Sequence, residues 1–301
     1  MDSRQPSPET TGLILGTLAV MAFSLTLPAT RLAVTALNPA LAGLGRSAVA
    51  AIPAALMLAA TRQPWPTPRQ WRALAGVAVG VVIGFPLLAA EAMQVLPVAH
   101  AAVMTGLIPL LTAAAAALLA GERPSLGFWA ASILGSLLVL VFAFQAGASR
   151  FHTADLELVA ASVAAALGYA EGARLAHTLG GWPVICWALV LALPVTWIGT
   201  GWLTWEHGIT APPWAWTAFL YTALVSQLGA FFLWYRALAL GGIARIGQVQ
   251  LLQPFFTIAV SSWVQGRIAF MPIAFALAVA ATVGFGRMSS IYRPRPQHLD
   301  G

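Results

Sequence analysis

Apolar positions along this chain come in long runs, without the alternation of half-buried strands. Ten runs, at roughly 12–31, 40–60, 70–94, 98–119, 125–145, 154–178, 182–203, 213–239, 243–264 and 268–290, fill most of the 301 residues. Each is close to the ~20 residues a helix needs to cross the hydrocarbon of a bilayer. Turn chemistry separates them: Asn38-Pro39, Pro64-Trp65-Pro66, Pro97, Pro124, Gly180-Gly181, Pro212-Pro213, Gly241-Gly242 and Pro272. Pro28, Pro53, Pro86, Pro109, Pro194 and Pro254 instead fall inside the runs. There each kinks its helix and frees a carbonyl that a neighbour or a cavity must satisfy. The pattern predicts an all-α integral membrane protein of ten transmembrane helices, the first run being a helix and not a cleaved signal.

Charge gives those helices a direction. The chain has 15 arginines, no lysine and nine carboxylates. With the amino terminus in the cytoplasm, eleven arginines fall on or near the inner side. Three (Arg31, Arg150 and Arg267) fall outside, and Arg46 lies within the second run. Cytoplasmic connectors carry the positive excess in membrane proteins, so both termini are predicted to be cytoplasmic. The net +6 is spread over short connectors, which argues against a nucleic-acid partner.

Composition then excludes chemistry. Charged residues make up 8% of the chain and mean hydropathy is +0.83, which leaves no room for a soluble domain. Without lysine there is no P-loop ATPase and no Schiff-base nucleophile. Cys186 is the only cysteine, so a Cys-rich metal site and an intrachain disulfide are excluded. The five histidines have no metal-ligand spacing. No catalytic residue, metal or cofactor is expected.

An internal repeat is the most useful feature after the runs. A shift of 145 residues lays Gly84–Gly121 over Gly229–Gly266 without a gap, with nine identities that include Pro109/Pro254, Thr112/Thr257 and Gly121/Gly266. Five spans per half is an odd number, so the halves, 12–145 and 154–290, are predicted to be inverted. Inverted repeats are typical of secondary transporters, with the substrate site near midplane at their interface.

These residues resemble a known group. Arg46 early in span two, Glu91-Ala92-Met93 leading through Pro97-Val98-Ala99 to Leu107-Ile108-Pro109, and Gly121-Glu122 closing span four are similar to the EamA-type drug/metabolite transporters. The second copy matches in Tyr235 to Leu238, Leu251 to Pro254 and Gly266. The resemblance covers about 12 to 290 and implies two five-helix repeats around a central cavity. It departs at Arg267, where the second half would repeat the glutamate, and at Arg236 and Arg245, which stand over Glu91 and His100.

Polar groups in lipid mark cavities or partners. In span nine, Gln250, Gln253, Thr257 and Ser261 recur at three- and four-residue steps and so share a helical face. Thr105 and Thr112 hold the positions equivalent to Gln250 and Thr257 in span four. The alternative is interhelical hydrogen bonding alone, worth about 0.6 kcal/mol per bond. Glu91 and Gln94 share a face near the outer end of span three, where a carboxylate could bind an amine or load a proton. Arg46 reads as an anion-binding group or the partner of a carboxylate. Trp234 and Tyr235, with Gln227, Phe231, Tyr169 and Phe23, offer an aromatic wall or ordinary packing. Glu171 with Arg174 reads as a self-contained ion pair, and the Gly76, Gly80, Gly84 and Gly12, Gly16 stripes as close helix packing.

Together these features predict a multi-pass protein of the bacterial inner membrane that moves a small organic solute by alternating access. Its energy would come from a proton or ion gradient, or it would run downhill. Export of amino acids or related compounds is what the resemblance implies. Import on the same fold, an intramembrane enzyme and a channel are the rival readings, and the oligomeric state is left open.

Overall fold

The computed structural model describes residues 7–145 and 152–264. Among the described residues there is no strand, and nine rods follow one another: α1 (Pro8–Val34), α2 (Pro39–Ala60), α3 (Pro68–Val95), α4 (Val98–Leu119), α5 (Leu126–Gln145), α6 (Thr153–Leu179), α7 (Gly181–His207), α8 (Pro213–Gly241) and α9 (243–264). Seven, α1 to α4 and α6 to α8, are long and apolar enough to cross a membrane, and α5 holds a shorter apolar stretch, Leu126–Leu138. The predicted tenth span, 268–290, lies outside the described residues, as do Gly266, Arg267 and the Ser261 side chain.

The punctuation residues act as expected. Pro39, Pro68 and Pro213 sit in the first turn of their helices, where the missing N–H costs nothing. The Asn38 side chain caps Leu41 N–H, and Thr67 and Gln70 form a reciprocal capping box. Gly121, Gly180 and Gly242 end α4, α6 and α8 with positive φ.

The prolines inside the helices have partners on other helices. Pro28 cannot donate to Ser24 C=O, and α1 breaks between Ser24 and Thr26. The freed Ser24 carbonyl accepts from Thr257 Oγ1 at 2.7 Å, and Phe23 C=O accepts from Gln253 Nε2 at 3.4 Å. Pro86 likewise frees Val82 C=O, which Ser47 Oγ of α2 satisfies at 2.6 Å. Ahead of Pro109 and Pro254 the chain tightens into 3₁₀ turns at Thr105–Leu107 and Gln248–Leu252. Wider π turns occupy Ala78–Gly84 of α3 and Tyr221–Gly229 of α8. Both kinds of irregularity thus recur about 145 residues apart.

Lipid offers no hydrophobic drive between helices, so small residues set their approach. A Cβ on Gly80 would lie 3.1 Å from Gly168 Cα, and one on Gly12 would lie 3.1 Å from Ala237 C=O. These contacts bring α3 onto α6 and α1 onto α8, while α2 packs along α7. Outward, Ile14, Leu18 and Met21 form an exposed apolar stripe on α1 at helical spacing.

The helix ends gather at two poles. Glu9, Glu122, Arg123, Arg174 and Arg245 meet at one, which also carries the Gln70–Thr178 contact. At the other, Arg31 donates to the Met93 and Gln94 carbonyls, and His100 pairs with Asp155 at 2.6 Å.

Candidate functional site

Midway along the rods lies a small cavity of about 20 Å³, lined by residues of α1, α2, α3, α4, α6, α8 and α9. That is room for about one water. Its polar wall is Thr26, Arg46, Tyr169, Ser226, Gln227 and Gln253. Thr26 and Ser226 hydroxyls bond at 2.7 Å, and Arg46 Nη2 donates to Ser226 Oγ at 3.3 Å. Gln227 Nε2 donates to Val81 C=O at 2.9 Å. The irregular backbone explains how these groups reach the centre: Val81 lies in the π turn of α3, and Ser226 and Gln227 in that of α8.

Aromatic rings close the cavity toward the arginine-rich pole. Phe23 stands 5.1 Å from Phe231 and 6.0 Å from Trp234, and Tyr169 stands 5.5 Å from Trp234. Along α8 the order is telling. Phe231 lines the cavity, Trp234 and Tyr235 are fully buried, and Leu238 lines a vestibule of about 730 Å³ that opens at the arginine-rich pole. Glu9, Glu122, Arg123, Arg174 and Arg245 supply the charge of that vestibule, and His177 also lines it.

The sequence candidates divide. Arg46 and Gln253 line the cavity. Gln250 is buried beside the Tyr169 hydroxyl, and its amide has no hydrogen bond of normal geometry. Thr257 is engaged with the break in α1. Thr105 bonds back to its own helix at Ala101 and Ala102 C=O. Thr112 is fully buried against Gly247 of α9, its hydroxyl without a partner. Trp234 and Tyr235 form the plug, and Tyr235 donates to Gly168 C=O at 3.2 Å. Glu91 and Gln94 lie away from the cavity, toward the Arg31 pole. Glu171 and Arg174 pair at 3.2 Å as expected.

Two cavity residues, Thr26 and Ser226, have no signal in the sequence. Each is one of several hydroxyls in its apolar run, and nothing in either run marks the two as partners across 200 positions. Glu122 has a local role that pattern reading does not show. Its two carboxylate oxygens accept from Ile243 and Ala244 N–H at 2.8 and 2.9 Å, capping α9 from the end of α4.

Comparison with known proteins agrees with this architecture. Residues 10–144 match the model of the EamA-like transporter family. An uncharacterized transporter of Bacillus subtilis (strain 168), YdeK, is 43% identical over 285 residues, covering 92% of this chain and 97% of its own. A crystal structure described only as that of a protein superposes with a TM-score of 0.76 at 17% identity, over 94% of this chain and 100% of its own, a likeness of fold.

Proposed function

Because the chain belongs to the EamA-like transporter family and is a multi-pass cell-membrane protein, we propose that it is a secondary carrier that exports small organic metabolites, amino acids or related compounds, across the bacterial inner membrane. The repeats 12–145 and 154–290 would rock about the central cavity, inverted relative to each other, with both termini and the arginine-rich pole facing the cytoplasm. Energy would come from a proton or other ion gradient, or from the solute's own.

One observation carries this reading: polar groups from both halves, Arg46 of the first and Ser226, Gln227 and Gln253 of the second, converge on one small cavity at mid-depth. Interface sites at midplane, built on irregular helices, are how inverted-repeat carriers hold solute. The recurrence of 3₁₀ and π turns 145 residues apart, and the pairing of α3 with α6 and of α1 with α8, support the repeat. The aromatic plug between the cavity and the arginine-rich vestibule would be the part that has to open on that side. No metal-ligating cluster occurs among the described residues, and a transporter relative favours carriage over catalysis.

The test compares culture medium from cells making the wild type with medium from cells making Gln250→Ala/Gln253→Ala at equal membrane abundance, by untargeted mass spectrometry. A metabolite enriched only with the wild type is the expected result. Accumulation inside the cells would reverse the direction to import, and no difference in either compartment would sink the cavity assignment.

A further inference from the structure

Arg46 presents an unbalanced charge. Its side chain is 3% exposed at mid-depth, Nη2 has one long bond to a neutral hydroxyl, and Nε has no partner among the described residues. A guanidinium stays ionised in proteins, and a buried charge without a counter-ion costs several kcal/mol. Among the described residues no anion stands beside it. Its nine carboxylates are Asp2, Glu9, Glu91, Glu122, Asp155, Glu157, Glu171, Glu206 and Asp300, and residues 207–299 contain none. Glu122 is spent on capping α9, and Asp155, Glu171 and Glu9 are paired elsewhere. Among the described residues, no carboxylate lines the cavity.

Resting on the carrier reading above, we infer that Arg46 is the receptor for a carboxylate on the transported solute, so that the site takes monocarboxylates. One guanidinium balances one negative charge, and its planar fork matches the two oxygens of a carboxylate. Around it stand further groups able to donate: the Ser226 hydroxyl in contact with it, the Gln253 amide on the same wall, and the Tyr169 hydroxyl with the buried Gln250 amide beside it. The rest of the solute would lie against Phe23, Phe85 and Phe231. With no acidic side chain on that wall, a solute amine gets no ion pair, and a carboxylate-free amine would double the buried positive charge.

The experiment uses full-length protein in vesicles of phosphatidylethanolamine and phosphatidylglycerol, loaded with the proteinogenic L-amino acids, their carboxamides and their decarboxylated amines. Release is read by mass spectrometry against protein-free vesicles. The inference expects wild-type release confined to carboxylate-bearing members. Arg46→Gln should lower it by about tenfold or more, and Arg46→Lys, which keeps the charge without the fork, should keep part of it. Release of carboxamides or amines at comparable rates overturns the inference and leaves the carrier reading standing. If nothing is released above background, the carrier reading falls, and thermal unfolding with the same compounds decides: stabilisation by carboxylates in the wild type but not in Arg46→Gln supports the receptor, and its absence overturns it. Ligand-free Arg46→Gln should unfold at a higher temperature than the wild type, because a purely structural arginine would give a lower one.

Discussion

Glu122 shows how much one side chain does at a helix end. Its carboxylate meets the first two N–H groups of α9, where orphan donors and the helix dipole both favour negative charge. Glu122→Ala should lower stability by about 1–2 kcal/mol, the usual cost of a lost cap, and Glu122→Gln by less; thermal unfolding in detergent measures both. An unchanged midpoint for Glu122→Ala would mean that the cap contributes nothing. Gln253 shows a second lesson at this scale. It lines the cavity and also reaches Phe23 C=O in the broken stretch of α1, so cavity lining and helix joining are not alternatives for that residue. For Thr257 the bond to Ser24 C=O accounts for the hydroxyl.

Close approach between helices rests on positions without side chains. Leucine at Gly80 would drive α3 off Gly168 and the Ala164 carbonyl of α6, and overpacking of this kind costs about 1–3 kcal/mol or more. Gly80→Leu should therefore unfold early or fail to accumulate in the membrane. Gly201→Ala is the control: a Cβ there meets nothing within 4 Å, and its membrane abundance should match the wild type. The elements themselves were legible in the sequence, because lipid demands long apolar runs and because proline and glycine punctuate them. The predicted 40–60 became Pro39–Ala60 and 98–119 became Val98–Leu119. The site was legible only in part. Arg46, Gln250 and Gln253 stand out as polar groups in apolar helices, but nothing in the order of residues says that Thr26 meets Ser226. Nor does periodicity reveal that π turns rotate Ser226 and Gln227 inward, since a π turn changes the very period from which a face is read.

Across the whole molecule, an ion pair and a histidine–carboxylate hydrogen bond occupy matching places. Arg245 stands 145 residues after His100, and each opens the helix, α9 or α4, that follows a half's third span. Arg245 reaches Glu9 at the start of α1 at 2.7 Å, and His100 reaches Asp155 at the start of α6 at 2.6 Å. As latches at opposite poles, each should have to open once per transport cycle. Cysteines at Glu9 and Arg245, or at His100 and Asp155, in a Cys186→Ala background should arrest transport when bridged by a thiol cross-linker and recover on reduction. Undiminished flux with either pair bridged would exclude that role. The latches are unequally reinforced, and the Glu122 cap is the reason. It adds two charge-assisted bonds at the arginine-rich pole, together worth the roughly 1–2 kcal/mol of a helix cap, whereas Arg267, at the position 145 residues on, carries no acceptor. On the alternating-access reading proposed above, the two openings would differ in free energy, and the empty protein should dwell facing the Arg31 pole. An impermeant thiol reagent should label a cysteine at His100 faster than one at Arg245, and equal rates would show no bias. On that reading the carrier would idle with its mouth toward one compartment, and the return of the empty form would set its pace.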